Sequence, residues 1–394
     1  MPKPFDVIII GAGAMGVSTT LALANRGVRV LAMDKHSIPN TMGSSHGHSR
    51  AIRMGYYEHP DYVPLLRRAY DLWHQWEAAS ECQLLHMTSG LYMGAADSDL
   101  VSGSIRAARE HGLQHEVLSR DEIALRYPQF NLPDDFVAMH EAAAGLLLPE
   151  LAISTAASRA ERAGAELHAN EPVIEWKVGS DGVEVRTTTC TYEAEKIVIC
   201  GGAWSVRLLQ NLDVCLKVTR QVVGWVEPVR PERFALGTFP TWALSAPDGN
   251  LYYGFPMLAD NRGLKLGHHW HAQTTDADTV VREALPGDED DFRPALTRFL
   301  PGADGPLKSI GVCLYTNSPD SHFIIDKHPE HDRVTFACGF SGHGFKFMPV
   351  IGEILADLAL NGRTDLPIDF LRISRLQRPP SLSLASPSER RGRG

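Results

Sequence analysis

The pattern of apolar and polar positions begins with a strand, a helix and a second strand. Phe5–Ile10 is a short apolar run, and helical spacing extends from Val17 to about Arg26. A second apolar run, Val28–Met33, ends directly before Asp34. This order of patterns predicts a βαβ unit at the start of the chain.

Further along the chain, apolar spacing predicts three more helices before a long C-terminal one. Apolar residues recur at helical spacing after Pro60, which predicts a helix to about Ala79 with one buried face. Shorter helices are expected at residues 118–127 and 150–163, and a last helix at residues 348–360 with Pro349 in its first turn.

Short apolar runs between these helices predict two kinds of strand. Strands are expected within residues 84–93 and 166–200, and the run 197–200 is typical of a parallel strand buried on both faces. Runs at 218–227, 250–255 and 263–270 are separated by turn residues and predict antiparallel strands. Short strands are also expected at 309–316 and 334–339.

These elements predict an α/β protein with two domains, as the length of 394 residues favours. A discontinuous Rossmann-like domain is expected from residues 1–80, 145–213 and 309–377. Residues 81–144 and 214–308 are expected to form a second domain on a mainly antiparallel sheet. The tail at 378–394 is rich in Pro, Ser and Arg and is expected to be disordered.

A glycine motif between the first strand and helix points to a dinucleotide. Gly11 permits a tight turn, Gly13 allows close approach of a pyrophosphate, and Gly16 allows the helix to pack against the strand. The pyrophosphate would lie at the helix N-terminus, where free N–H groups favour an anion. Asp34 stands about 20 residues after the second glycine, where a ribose-binding acid is expected. The motif disfavours NADP but leaves FAD and NAD open.

Composition excludes several other classes of function. A formal charge of −9 argues against general nucleic-acid binding, and no apolar run is long enough for a membrane span. Six scattered cysteines without a CxxC pair are expected to be reduced thiols of a cytoplasmic protein, and the short N-terminus leaves no room for a signal peptide. No carboxylate or cysteine accompanies the histidines at ligand spacing, so no metal site is expected.

Five separated segments together resemble one enzyme family. The N-terminal βαβ unit is followed by the segment 45–50 with Arg53, the strand 263–267, the segment 313–316 and the segment 342–347. In this order they are similar to monomeric sarcosine oxidase and N-methyltryptophan oxidase. The resemblance implies an FAD-binding domain and a monomeric, FAD-dependent oxidase of secondary amino acids that uses O₂. Its product imine would be hydrolysed, and O₂ would be reduced to hydrogen peroxide.

The resemblance also implies roles for the residues that carry the chemistry. Cys313 matches the cysteine that attaches FAD covalently, and Arg53 and Lys346 match the pair that holds the substrate carboxylate. Lys265 matches the lysine that promotes the reaction with O₂. His269 matches a histidine near the substrate amine and carboxylate. By residue type alone, a buried structural cysteine and solvent-exposed Arg and Lys side chains would be the favoured interpretation, so these roles depend on the resemblance.

The remaining positions of the family pattern are expected around the cofactor ring and the substrate. His46, Arg50 and Tyr315 match catalytic or tuning positions, and Tyr56 and Tyr253 match aromatic positions of the substrate pocket. The expected cofactor-binding residues are Gly11, Gly13, Ala14, Met15, Gly16, Asp34, Ser44, Arg50, Val173, Cys313, Gly342, Gly344 and Lys346.

The sequence leaves alternatives to sarcosine open. L-pipecolate, proline, N-methyltryptophan and glycated amino acids share its carboxylate and amine, and Ser45 stands where sarcosine oxidases often have a second histidine. A dehydrogenase of the same fold that does not use O₂ is another candidate. A non-catalytic flavin- or NAD-binding module is a third.

Overall fold

Two eight-stranded sheets organise the chain, which the computed structural model describes over residues 5–212, 214–269 and 274–376. The expected tail at 378–394 lies outside these residues. None of the helices in the described ranges has the length and apolar character of a membrane span. The helices are α1 (Ala14–Ala24), α2 (Tyr62–Ser80), α3 (Asp99–Glu110), α4 (Arg120–Arg126), α5 (Pro149–Arg162), α6 (Ser205–Leu208), α7 (Arg293–Phe299) and α8 (Met348–Asn361).

The first sheet contains the N-terminal βαβ unit and confirms it. Its main path runs in the order β10 (Val173–Val178), β11 (Val183–Thr187), β12 (Thr191–Ile199), β1 (Phe5–Ile10), β2 (Val30–Met33) and β9 (Glu166–His168). The C-terminal half of β12 also pairs with β19 (Val334–Cys338), which pairs with β18 (Ile324–Lys327). β1 is parallel to β2 and β12, so the apolar run at 197–200 is a buried parallel strand as predicted.

The second sheet is mainly antiparallel, also as predicted. Its order is β17 (Leu307–Asn317), β13 (Lys217–Val226), β16 (Leu264–His269), β15 (Leu251–Gly254), β14 (Thr241–Ser245), β5 (Gly90–Ala95), β7 (Phe136–Glu141) and β6 (Glu116–Ser119). Only the β14–β5 pair within this sheet is parallel. A small third sheet joins β3 (Arg50–Ile52), β8 (Gly145–Leu147) and β4 (Leu85–Met87).

Strand pairing departs from the predicted domain division at one place. β17 begins the stretch that the sequence assigned to the Rossmann-like domain, yet it pairs along its whole length with β13 of the second sheet. An apolar strand carries no mark of its partner, so the pattern alone could not assign it. The other predicted domain boundaries stay a prediction.

Several element boundaries also differ from the sequence pattern. α1 begins at Ala14 rather than Val17, because small residues in its first turn carry little helical periodicity. Neither β3 nor α3 was predicted. The buried face of α3 combines Leu100 and Val101 with small residues such as Gly103, Ser104 and Ala107.

Helix α1 is buried on nearly all sides between the first sheet and two other helices. Ten of its residues are buried, and α5 and α8 pack against it. A Cβ atom at Gly16 would lie 1.8 Å from the carbonyl oxygen of Gly11, and one at Gly352 of α8 would lie 2.2 Å from Ser18 Oγ. Glycine at these positions lets backbone approach backbone, which holds the Gly11 turn against the helix start.

We predict that Gly16→Ala lowers the melting temperature of the apoprotein by about 5 °C or more, because the methyl group meets rigid backbone. Gly13→Ala is the matched control, since a Cβ atom there would meet nothing within 4 Å. Differential scanning fluorimetry of both apoproteins makes the comparison. Equal melting temperatures for Gly16→Ala and the wild type would contradict this account of the turn.

Candidate active site

A cavity of about 510 Å³ is lined by residues from both large sheets and contains most of the predicted site. Its walls include the glycine turn after β1, the end of β2, and residues of β14, β15 and β17. The predicted residues that line it are Gly11, Gly13, Ala14, Met15, Asp34, Ser44, Arg50, Arg53, Val173, Tyr253, His269, Cys313, Tyr315, Gly342, Gly344 and Lys346. Segments distant in sequence therefore meet at one cavity.

Four predicted residues lie behind the cavity wall instead. They are Gly16, His46, Tyr56 and Lys265, and all four are buried. Gly16 packs against Gly11, as its packing role requires. The other three contact residues that do line the wall, so they can act on the cavity only through those neighbours or after a local rearrangement.

The glycine turn and Asp34 form the dinucleotide end of the cavity. Gly11 has a φ of +93°, which favours glycine, and its position leaves no space for a side chain. Asp34 accepts hydrogen bonds from the backbone N–H of Ala12 and of His36, both at 2.8 Å. Burial raises the pKa of Asp34, although these two donors oppose the shift.

These residues fit a dinucleotide pyrophosphate. A Cβ atom at Gly13 would project into open space in the cavity wall, so the glycine leaves the room that a phosphate needs. Gly13 is the N-cap of α1 and no side chain caps the helix, which leaves its first N–H groups available to an anion. Thr316 Oγ1 is also buried in this wall without a hydrogen-bond partner in the described ranges, as a ligand-binding group would be.

Arg50 and Lys265 place positive charge near the Cys313 thiol. Arg50 donates to the carbonyl oxygens of Ser49 and Ser44 at 2.9 and 3.0 Å, which fixes its guanidinium in the cavity wall. Burial raises the pKa of Cys313, while the charges of Arg50 and Lys265 oppose that rise. On balance the pKa of the Cys313 thiol is raised, although the nearby Arg50 and Lys265 limit the rise that burial causes.

Lys265 is a fully buried amine in a shell of oxygen acceptors. Its Nζ donates to the carbonyl oxygens of Gly47 and Ser49, both at 2.7 Å, and to Ser49 Oγ at 3.2 Å. Nζ also lies 4.8 Å from the centre of the Phe255 ring, which lines the cavity. Burial lowers the pKa of Lys265 well below its ordinary value, whereas the three acceptors favour the ammonium form.

Arg53 lies in the opposite part of the wall and is paired with a carboxylate that the sequence analysis missed. Its Nη2 contacts both carboxylate oxygens of Glu58 at 2.7 Å, and its Nη1 donates to the carbonyl oxygen of Gly55. The guanidinium carbon lies 4.4 Å from the centre of the Tyr56 ring. Burial opposes the charge of Glu58, but the nearby Arg53 outweighs it and lowers the pKa of Glu58 to about 2.

Lys346 adds a second buried cation to the same part of the wall. Its Nζ donates to the carbonyl oxygen of His343 at 2.7 Å and lies 5.1 Å from the centre of the Tyr56 ring. Burial, together with repulsion from Arg53, lowers the pKa of Lys346 to about 7, and Glu58 opposes the shift. Two cations thus face one internal carboxylate, an arrangement that favours a second anion.

His269, Tyr253 and Tyr315 form a neutral polar group between the two sets of cations. His269 Nδ1 lies 3.2 Å from the Tyr315 hydroxyl, and burial lowers the pKa of His269 to about 3. Burial raises the pKa of Tyr253 to about 12 and that of Tyr315 well above its ordinary value. All three are therefore uncharged at neutral pH.

Two further groups were not predicted from the sequence: His343, which is buried in the wall, and the half-buried Glu150. His343 Nδ1 is 2.5 Å from the Tyr56 hydroxyl, and burial lowers the pKa of His343 to about 4. Glu150 accepts the backbone N–H groups of Gly47 and His48 and so fixes the loop that holds Lys265. The roles of these residues depend on partners that only the fold brings near them, so the sequence alone could not identify them.

In the described ranges, no group of three or more His, Cys, Asp or Glu side chains is arranged to hold a metal ion. All six cysteines are free thiols, as predicted. The βαβ unit, the glycine turn, Asp34 and the adjoining cavity together define a dinucleotide-binding protein.

Comparison with known proteins gives the family. A family model described as FAD dependent oxidoreductase matches residues 6–358. The chain therefore belongs to the FAD dependent oxidoreductase family, and FAD is the cofactor that its glycine turn and cavity fit.

Named relatives cover nearly the whole chain. Monomeric sarcosine oxidase of Streptomyces avermitilis is 40% identical over 388 residues, which are 97% of this chain and 100% of that protein. N-methyl-L-tryptophan oxidase of Escherichia coli is 37% identical over 377 residues, which are 95% of this chain and 100% of that protein. Among solved structures, the amino acid oxidase NikD superposes with a TM-score of 0.83 at 26% identity, over 94% of this chain and 98% of that one.

Proposed function

We propose that this protein is an FAD-dependent oxidase of N-methyl amino acids such as sarcosine. The observation that carries the proposal is the pair of buried cations, Arg53 and Lys346, beside a cavity that also contains the dinucleotide turn. The relatives named sarcosine oxidase and N-methyl-L-tryptophan oxidase support the same substrate class. A larger or cyclic secondary amino acid is the second candidate, which the aromatic residues Tyr57, Tyr92 and Trp242 in the wall support.

Substrate binding is proposed to depend on charge. Arg53 already shares its guanidinium with Glu58, and Lys346 contributes a second positive charge, so a substrate carboxylate completes the pairing. Arg53 is held by Glu58 and by the Gly55 carbonyl, which pre-organises it and lowers the entropic cost of binding. The carboxylate would therefore fix the orientation of the amine and its methyl group.

The neutral residues are proposed to suit the amine. His269 is uncharged at neutral pH, so its ring can hydrogen-bond to a substrate nitrogen without charge repulsion. Tyr315 contacts His269 and lines the cavity, which keeps that ring in place. The chemistry that FAD would supply when bound is the acceptance of a hydride from the carbon next to the nitrogen, with O₂ as the final acceptor of the two electrons. The released imine then takes up water and separates into an aldehyde and an amine, while O₂ with two protons becomes hydrogen peroxide.

Lys265 is proposed to assist the reaction with O₂. Burial and the charge of Arg50 lower the pKa of Lys265, but three acceptors hold its Nζ and favour the ammonium form. In that form it supplies positive charge near the place where negative charge develops on oxygen. Because Lys265 lies behind the wall, this effect is electrostatic rather than one of direct contact.

Three further properties belong to the same proposal. Cys313 is proposed to carry the FAD through a thioether bond, since its thiol lines the cavity beside Arg50. A monomer is proposed because relatives at 40% identity are named monomeric. Residues 1–80, 145–213 and 309–377 remain the proposed FAD domain, apart from the strand β17.

Sarcosine is predicted to be consumed with one hydrogen peroxide formed per molecule. Arg53→Ala should lower kcat/KM at least about 100-fold, because Glu58 is then left without its partner and the carboxylate loses its guanidinium. Lys308→Ala, which removes a cation of the outer surface, is the control. Peroxide-coupled assays with sarcosine, N-methyltryptophan, pipecolate and proline measure this. Absence of peroxide with all four substrates would contradict the proposal.

FAD is predicted to stay with the wild-type polypeptide after denaturation in acid or SDS. Cys313→Ala should release all of its flavin, because the only proposed attachment sulfur is gone. Cys338→Ala is the matched control, since this thiol is equally buried but does not line the cavity. In-gel flavin fluorescence is the measurement. Flavin lost from the wild type, or kept by Cys313→Ala, would refute attachment at this residue.

Binding of a substrate-like carboxylate is predicted to weaken as the pH rises above about 7. Lys346 is an ammonium below its pKa and becomes neutral above it, which removes one of the two cations. Methoxyacetate, the ether analogue of sarcosine, should lose about tenfold in affinity between about pH 6 and about pH 9, as measured by flavin difference spectra. Lys346→Arg stays charged and should give a flat profile. Parallel profiles for the two proteins would reject this role.

A further inference from the structure

At the dinucleotide end of the cavity, one carboxylate joins three donors from different segments. Asp278 Oδ1 accepts from Lys35 Nζ and from Trp204 Nε1, both at 2.6 Å. Asp278 Oδ2 accepts from Arg207, which also pairs with Asp276 at 2.8 Å. Lys35 follows β2, whereas Trp204 and Arg207 follow β12, so the three donors come from the two strands that flank β1.

The segment that carries Asp278 is anchored on the second sheet. The backbone N–H of Thr275 donates to the carbonyl oxygen of Val218 in β13, and Arg220 of β13 donates to the carbonyl oxygen of Val281. Ala277 packs in a small apolar cluster with Val218 and with Leu314 of β17. Asp278 is thus held at both ends of its segment by the sheet that also carries Cys313.

This contact lies beside residues that are expected to bind the cofactor. Lys35, Trp204, Arg207 and Asp278 all line the cavity, and Lys35 directly follows Asp34, the predicted ribose-binding acid. In contrast, the cations of the proposed substrate site, Arg53 and Lys346, belong to the other part of the wall. The contact therefore borders the part that would hold the adenosine half of FAD.

We propose that Asp278, with Lys35, Trp204 and Arg207, is a clasp that closes over the adenosine half of FAD and slows its release. This inference rests on the proposed cofactor site. A connection from the second sheet crosses to the first sheet at the cavity, so the adenosine half can leave only after the Asp278 contacts open. Asp278 is a positioning residue in this account, because it acts on the cofactor through Lys35 and Trp204.

The arrangement is more than an ordinary surface ion pair. An isolated ion pair between exposed side chains contributes little to stability, whereas several charges in one network can contribute more. Here one carboxylate receives an ammonium, an indole N–H and a guanidinium, while its side chain is only 26% exposed. Loss of the carboxylate would leave Lys35 without this ion pair and Arg207 paired with Asp276, so the link between the second sheet and Lys35 would be lost, which favours opening.

The same segment also links the two ends of the cofactor mechanically. Cys313 pairs with Gln221 of β13, and the Asp278 segment is fixed to Val218 and Arg220 of that strand. Closing the clasp would therefore hold the adenosine half in register with the strand that carries the attachment thiol. A flavin that is free to slide would meet Cys313 less often, so the clasp would also speed covalent attachment.

The test compares two flavins in a protein that cannot attach either one covalently. Cys313→Ala apoprotein, alone or combined with Asp278→Asn, is titrated with FAD and with FMN, and binding is followed by quenching of flavin fluorescence. Asp278→Asn should weaken FAD binding at least about tenfold and leave FMN binding unchanged, because FMN lacks the adenosine half. Asp332→Asn in the same background is the control, since Asp332 pairs with Lys327 away from the cavity.

Each of the other outcomes would contradict the proposed role of the clasp. Equal weakening of FAD binding and FMN binding would mean that Asp278 only supports the fold. The melting temperatures of the apoproteins would show such a structural effect independently. Unchanged FAD binding in Asp278→Asn would refute the clasp but would not affect the proposal that the cavity binds FAD. Failure of the Cys313→Ala protein to bind either flavin, when it remains folded, would refute the cofactor site itself and the clasp with it.

Discussion

The arrangement of this site depends on buried positive charge. Arg53, Lys265 and Lys346 are each nearly inaccessible to water, and a buried cation is costly unless oxygen atoms surround it. The chain meets this requirement in two ways. Lys265 is enclosed by backbone and hydroxyl oxygens, whereas Arg53 pairs with Glu58, and Lys346 lies near that carboxylate and donates to the carbonyl oxygen of His343. In the proposed function, a bound amino acid carboxylate adds a further negative charge beside these two cations.

That requirement explains why the cavity lies where two sheets meet. The first sheet brings the glycine turn and Asp34 to one part of the wall, and the second brings Cys313 on β17 and His269 on β16, the two strands that flank β13. Neither sheet alone contains both the dinucleotide turn and the polar groups of the proposed substrate pocket. The pairing of β17 with β13 matters most here, because it attaches the Cys313 strand to the second sheet.

Residues with strong local signals could be predicted from the sequence. The glycine turn and Asp34 follow a strand and a helix at fixed spacing, so the βαβ unit and its cofactor class were readable directly. Cys313 and Lys346 became visible only through the family resemblance. Glu58 and Asp278 escaped both routes, since a carboxylate acquires its meaning from partners that the fold brings near it. Tyr56 and Lys265 were expected at the site, but both lie behind the cavity wall. Only the fold determines which side chains reach the surface of a cavity.

The central claim is that one cavity holds FAD and an amino acid whose carboxylate completes the Arg53 and Lys346 site. Anaerobic mixing of the FAD-loaded protein with sarcosine tests it most directly, with the flavin absorbance followed by stopped flow. The account predicts full bleaching of the flavin at a rate that saturates with sarcosine, and recovery of the colour when air is admitted. A flavin that dithionite reduces, but that no secondary amino acid reduces, would contradict the account.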